Sequence, residues 1–258
     1  MNALDDTKAP LLDHLIELRK RLLWCLAALA LAFFACLYVA KPIFAVLVQP
    51  LLAAGQGKLI YTDIFEAFFV EVKVALFAAL MITFPVLATQ LWRFVAPGLY
   101  RKEKRALLPF LLMTPVLFIA GGALAYYVVM PTAFTWMLGF QGQKGGLEVE
   151  ALPSAGDYLG LVMQFILAFG FSFLLPVLLL LLNRAGIVTR TQLIGVRRYM
   201  IVAMAIVAAV ITPPDLVSQI LLLVPLILLF EGALVIMWFG ERKAAEVASV
   251  PATIPPPL

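Results

Sequence analysis

Charge is scarce in this chain, and so are the residues that usually carry chemistry. Asp, Glu, Lys and Arg make up 13% of the 258 residues, where a soluble domain holds about 25%. His14 is the single histidine, and Cys25 and Cys36 are the two cysteines. Both cysteines fall in one apolar run, so no disulfide framework or metal site is expected, and they read as small buried hydrophobes. No G-x-x-x-x-G-K-[ST] loop occurs, which removes the usual ATP site. Ser154, Ser172, Ser218 and Ser249 lie in no nucleophile elbow, and His14 sits near the opposite terminus. No catalytic residue, metal ligand or cofactor is therefore expected. Met1–Lys8 carries two acids and precedes no cleavage site of signal-peptide type, nor is there an Arg/Ser-rich transit peptide. A prokaryotic membrane fits this start better than import into an organelle.

What the chain has instead is apolar length. Hydrophobic residues make up 64% of it and the mean hydropathy is +1.04, more than a single core can hide. The expected class is an all-α polytopic membrane protein. A helix needs about 20 apolar residues to cross about 30 Å of hydrocarbon. Six runs qualify, at roughly 22–40, 67–92, 108–132, 158–182, 197–212 and 217–238. The fifth and sixth are short and are parted by the turn Thr212-Pro213-Pro214-Asp215.

The net charge of +4 would suggest nucleic acid in a soluble protein, but here the bases cluster in short segments between apolar runs, so no nucleic-acid partner is expected. One side collects Lys8, Arg19, Lys20 and Arg21, then Arg93 with Arg101, Lys102, Lys104 and Arg105. The same side takes Arg184, Arg190, Arg197 and Arg198, then Arg242 and Lys243. The other side has Lys41, Lys58 and Lys144, while Lys73 lies within the second span. By the positive-inside rule both termini are expected in the cytoplasm. One six-helix membrane domain over 1–240 is expected, followed by a Pro-rich, extended tail at 241–258. Pro85, Pro115, Pro131, Pro176 and Pro225 fall in or near spans, as bends in the packing or as hinges. No internal repeat supports an inverted-repeat transporter.

Two acids stand among the bases. In LLDHLIELRKRLL (11–23) a helix lines up Leu11, Leu15, Leu18 and Leu22, with Asp13, Glu17, Lys20 and Arg21 on another face. An amphipathic helix over about 11–21, lying in the interface and running into the first span, is expected. Glu17 and Arg21 have the favourable i, i+4 order, worth about 0.3–0.5 kcal/mol when exposed. In WRFVAPGLYRKEKR (92–105) Glu103 stands between Lys102 and Lys104. Each acid can be read as a solvated carboxylate or as a receptor for an incoming base. A guanidinium meets a carboxylate as a two-pronged fork and lysine does not. Two separate carboxylates could thus read two consecutive arginines while the flanking lysines reject other basic peptides.

The run His14-Leu15-Ile16-Glu17-Leu18-Arg19-Lys20-Arg21-Leu22 resembles the N-terminal motif of the TatC family, the large receptor subunits of the twin-arginine protein translocase. The resemblance continues through Thr62-Asp63 with Glu66-Ala67-Phe68, and then Gln90-Leu91-Trp92-Arg93-Phe94-Val95-Ala96-Pro97-Gly98-Leu99. Ala168-Phe169-Gly170 and Thr212-Pro213-Pro214-Asp215 with Ser218-Gln219 complete it, in order, over roughly 11–240. It implies a receptor for the S-R-R-x-F-L-K type signal peptides of folded cargo, with export driven by the proton-motive force. Glu17 and Glu103 match the contact positions, Phe94 adds apolar support, and Arg19 helps shape the site. Thr212 and Gln219 match the site where single-span TatA-like and TatB-like subunits dock, within a multi-copy complex.

Asp63 and Tyr126 fall on family positions with less defined roles. Glu66 and Lys73, seven residues apart, are expected to pair on one helix face at the outer interface. Many relatives carry a glutamate in the fourth span where this chain has Leu174, and Gln164 is the nearest polar residue. It lies about 15 Å away along the axis, on another face, so it is no direct substitute. Glu231, in the inner half of the sixth span, reads as a lone protonated carboxyl or a partner contact. The rival readings are a secondary transporter of a small solute, drawing on Lys73, Gln164 and Glu231, and a passive assembly scaffold.

Overall fold

The structure is a computed structural model that describes residues 8–99, 108–144, 146–212 and 215–248. Ten α-helices and one short hairpin are found among the described residues, and contacts divide the chain into two compact units, Met1–Phe171 and Ser172–Leu258.

The first unit begins with α1 (Lys8–Tyr38), which is uninterrupted: the amphipathic stretch and the first span form a single helix. Leu15, Leu18 and Leu22, the expected apolar stripe, stay exposed on it, as a lipid-facing helix requires. Its main neighbour is α3 (Glu66–Leu99). The two meet where Cys36 packs with Ala75, Ala78 and Ala79, flanked by Leu29, Ala32, Phe33 and Ile43. Lipid gives no hydrophobic drive for helix pairing, so close backbone approach over small residues supplies the dispersion contact instead. Ala75 and Ala79, four apart and fully buried, provide that approach.

Between these helices lies α2 (Ala40–Ala53), a 14-residue apolar helix where the sequence suggested only a connection. Pro50 lies inside it and has no N–H, so the carbonyl of Val46 lacks its regular i+4 donor. The Tyr126 hydroxyl donates to that carbonyl at 2.6 Å, and the Tyr158 hydroxyl donates to Leu47 O at 2.9 Å.

The third span, Phe110–Leu138, is made of α4 (Leu108–Leu124), a π-turn at Ala125–Val129 and α5 (Met130–Leu138). Pro131 stands two residues beyond the last residue of the π-turn, and its missing donor and ring bulk account for the widened turn. A hairpin of β1 (Gly142–Lys144) and β2 (Leu147–Val149) leads towards α6 (Ala155–Ser172). Leu159, Val162, Phe165 and Phe169 of α6 are buried. Gly170 lets α6 approach Phe118 of α4, whose ring stacks on Phe84 with centroids 3.6 Å apart.

The fourth apolar span covers Ala155–Arg184, but it is broken at Phe173-Leu174 ahead of Pro176, giving α7 (Leu175–Arg184) in the second unit. Gly186, at φ +71, ends α7 with Ile187 N–H donating to Leu182 O, the left-handed helix stop that glycine permits. Thr189 then caps α8 (Arg190–Gly195) in a reciprocal capping box with Gln192.

The fifth span is α9 (Arg197–Ile211). Its 15 residues reach about 22 Å at 1.5 Å per residue, short of about 30 Å of hydrocarbon. The last helix, α10 (Leu216–Ala248), runs further than the 217–238 expected, with an apolar stretch of 27 residues from Leu216 to Arg242. Leu222, Leu226, Phe230 and Ala233 form its buried stripe, and contacts hold α10 to α7, α8 and α9. Among the described residues five helical stretches meet the length and hydropathy needed to cross a membrane, and short α9, fifth in order, brings the spans to six.

Candidate functional site

The first site lies in the first unit, where the N-terminal part of α1 meets the C-terminal part of α3. Glu17 and Arg21 are one turn apart on α1. The Arg21 guanidinium donates to Glu17 Oε1 from Nε at 3.1 Å and from Nη2 at 2.5 Å. Its Nη1 points at Gln90 Oε1 on α3, 3.4 Å away. Gln90 and Phe94 are four apart and so share a face of α3, and Phe94 is half-buried. Half a turn from each, Trp92 Nε1 donates to Thr114 Oγ1 at 2.8 Å, which fastens α3 to α4. The result is a half-buried carboxylate on a rigid helix, engaged by the Arg21 guanidinium, with an amide and an aromatic ring alongside. Arg19 is exposed on α1. Glu103 lies outside the described residues, and the side chains of Asp13 and His14 do as well.

The second group is at the opposite end of α3. Glu66 opens that helix and gathers four donors. Oε2 accepts from Thr62 N at 2.5 Å, Thr62 Oγ1 at 3.0 Å and Asp63 N at 3.3 Å. Oε1 accepts from Gly156 N in the first turn of α6 at 2.7 Å. A carboxylate is favoured at a helix N-terminus by the free amides and the helix dipole. Asp63 makes its own turn by accepting from Phe65 N at 2.9 Å. Beside this knot Ile60 bridges Ser154, and Gln56 donates to Ala151 O. Asp63 and Glu66 therefore come together as structural residues. The expected Glu66–Lys73 pair is corrected: the partners found for Glu66 are backbone amides and Thr62, and Lys73 is exposed on α3. Seven residues separate the two by about 10 Å along the axis, too far once the carboxylate turns back to the helix start. Tyr126 supports α2, and Gln164 is exposed on α6.

In the second unit Thr212 and Gln219 both turn to α9. Thr212, buried at the end of that helix, donates to Ala208 O at 2.8 Å, while Gln219 Nε2 lies 3.4 Å from Ala205 O. Asp215 caps α10 through Ser218 N at 2.7 Å. Its Oδ2 and the Ser218 hydroxyl are buried without a hydrogen-bond partner among the described residues. Pro213 and Pro214 lie outside the described residues. Glu231 is corrected from a lone carboxyl: Arg197 engages it as a fork, Nε to Oε1 at 2.6 Å and Nη2 to Oε2. The two are 34 positions apart on different helices, so no local spacing announces the pair.

These features define a class: a polytopic helical membrane protein with a half-buried carboxylate that takes guanidinium at one helix end and a polar turn between its last two spans. The chain belongs to the TatC family. The family model described as Sec-independent protein translocase protein (TatC) matches residues 13–225. The chain is 47% identical over 251 residues to the Sec-independent protein translocase protein TatC of Magnetococcus marinus, covering 95% of this chain and 90% of that protein. It is 39% identical over 231 residues to the TatC protein of Escherichia coli K12, with coverages of 89% and 88%. The crystal structure of the twin arginine translocase receptor TatC in DDM matches with a TM-score of 0.76 at 36% identity. That match covers 87% of this chain and 99% of the crystallised one. Family and fold are those implied by the sequence motifs, and no relative named here is a solute transporter.

Proposed function

We propose that this protein is the signal-reading receptor of a Sec-independent translocase in a prokaryotic inner membrane, with both termini in the cytoplasm. The observation that carries the reading is the Glu17 carboxylate, which already holds a guanidinium fork from Arg21 beside Gln90. A site that binds its own arginine in this geometry has the charge and shape for a signal arginine, taken by exchange with Arg21. Glu103 supplies the second carboxylate, Phe94 the apolar contact for the residue after the arginine pair, and Arg19 the flanking positive charge. Thr212 and Gln219 form the docking place for TatA-like and TatB-like single-span subunits in a multi-copy complex. The work comes from the proton-motive force and the protein is not an enzyme.

The test is photo-crosslinking of an S-R-R-x-F-L-K peptide and its K-K counterpart to the full-length protein in membranes. Wild type should take the R-R peptide at least tenfold more than the K-K one, and Glu17→Gln and Glu103→Gln should each abolish that preference. An unchanged preference in both variants would overturn the site. Thr212→Val with Gln219→Leu should reduce copurification of the single-span subunits while leaving peptide crosslinking intact.

A further inference from the structure

A cavity of about 310 Å³ lies in the second unit, among α8, α9 and α10, lined by Arg190, Ile194, Arg197, Glu231, Val235 and Trp238 among others. We propose that this cavity seats the phosphodiester of an anionic phospholipid, with Arg190 as the principal ligand. The volume is at the low end for ligand pockets, which span about 300–1,000 Å³. It suits a headgroup and leaves the acyl chains outside.

The polar side of the cavity has an unmet donor. Arg190 Nε is buried without a hydrogen-bond partner among the described residues. Its Nη1 makes a long ion pair with Glu241 Oε2 at 3.8 Å, beyond hydrogen-bond length. Arg197 is different: Glu231 fixes its plane and neutralises it. The local charges are Arg190, Arg197 and Arg242 against Glu231 and Glu241, leaving one positive charge in surplus. A phosphodiester carries one negative charge and offers the two oxygens a guanidinium fork needs.

The apolar side suits the rest of a lipid. Ile194, Val235 and Trp238 are 43%, 51% and 40% exposed, unusual for such residues beside a charged pocket in water and natural beside acyl chains. The apolar stretch of α10 ends at Arg242, one turn beyond Trp238, so the Trp238 end of the cavity opens towards the depth where headgroups begin. Trp238, with the Arg242 guanidinium 5.6 Å over its ring, is the aromatic anchor typical of that depth. A protein carboxylate could satisfy the charge, but it would leave this apolar rim uncovered.

Native mass spectrometry of the full-length protein, delipidated in detergent and titrated with phosphatidylglycerol, tests the proposal. Wild type should retain one phosphatidylglycerol at least fivefold better than Arg190→Gln, with Arg190→Lys, which keeps the charge without the fork, between them. Phosphatidylcholine at the same concentration should be retained less, and millimolar inorganic phosphate should not displace the lipid. Equal retention by all three proteins would overturn the assignment, as would equal retention of phosphatidylcholine. Displacement by inorganic phosphate would reduce the cavity to a simple anion site and overturn the lipid reading. A circular dichroism spectrum matching wild type ensures that a loss in Arg190→Gln reports the cavity.

Discussion

Replacing Gly170 with alanine should destabilise this protein although alanine is the better helix former. In an open helix the change would gain about 0.8–1.0 kcal/mol. At Gly170 the new methyl carbon would stand 2.7 Å from Phe118 Cε2, 2.8 Å from Cδ2 and 3.1 Å from Cζ. Aromatic rings yield to such overlap by turning, but this ring has no room. Phe118 is 1% exposed, stacks on Phe84 at 3.6 Å between centroids, and meets the edge of Phe171 at 5.3 Å. Overpacking a closed core costs about 1–3 kcal/mol, and a ring pinned on two sides belongs at the upper end. The net expectation is a loss of about 1–2 kcal/mol, the overpacking cost less the propensity gain. Gly122→Ala is the internal control, because its added carbon meets one methyl, Ile166 Cγ2, at 3.1 Å and should be nearly neutral. Unfolding in dodecyl maltoside followed by circular dichroism measures both. The double variant Gly170→Ala/Phe118→Leu should be less damaged than the sum of its parts, with a coupling of about 1 kcal/mol or more. A Gly170→Ala protein as stable as wild type, or strict additivity in the double variant, would refute the steric account.

If Arg21 is the resident occupant of Glu17, Arg21→Gln should tighten binding of the R-R peptide about two- to fivefold, the equivalent of the roughly 0.5–1 kcal/mol that an exposed pair contributes. Glu17→Gln should weaken it at least tenfold, since bonds to charged groups contribute about 1.5–3 kcal/mol. Peptide titration by fluorescence anisotropy separates the two, and equal weakening by both variants would remove the exchange scheme. Tyr126→Phe should cost about 1 kcal/mol by orphaning Val46 O. In a Pro50→Ala background, where residue 50 regains its N–H, the same change should cost much less. A penalty unaffected by Pro50→Ala would show that the hydroxyl matters for some other reason. Thr189→Ala removes the cap of α8 and should cost about 1 kcal/mol, read as faster amide exchange at 190–195 with α10 unchanged.

The spans were readable because their signal is composition over length, which survives small shifts in register. Glu17 with Arg21 was readable because a helix puts neighbours four apart in contact. Helix α2 was missed for the opposite reason: 14 residues with two internal prolines look like a connection. Its order depends on Tyr126 and Tyr158, 80 and 111 positions from the carbonyls they bind. Arg197 with Glu231 and Glu66 with Gly156 share that character, each joining elements that the chain brings together only after folding. Glu66 was placed on a helix face and paired with Lys73 because spacing sees only one helix. The amides of Thr62, Asp63 and Gly156 were the stronger partners.

The knot around Glu66 also sets an order of events during synthesis. Thr62 and Asp63 are three or four positions from Glu66, so their bonds form as soon as the start of α3 does. Gly156 is 90 positions further on. At about 5–20 residues per second it leaves the ribosome about 5–20 s later. For that interval the rest of α3, the third span and the hairpin must be made while one carboxylate oxygen waits for its α6 partner. The nascent chain thus carries a half-finished clasp that only α6 can close, and its closure marks the moment when the segment between them has been completely inserted.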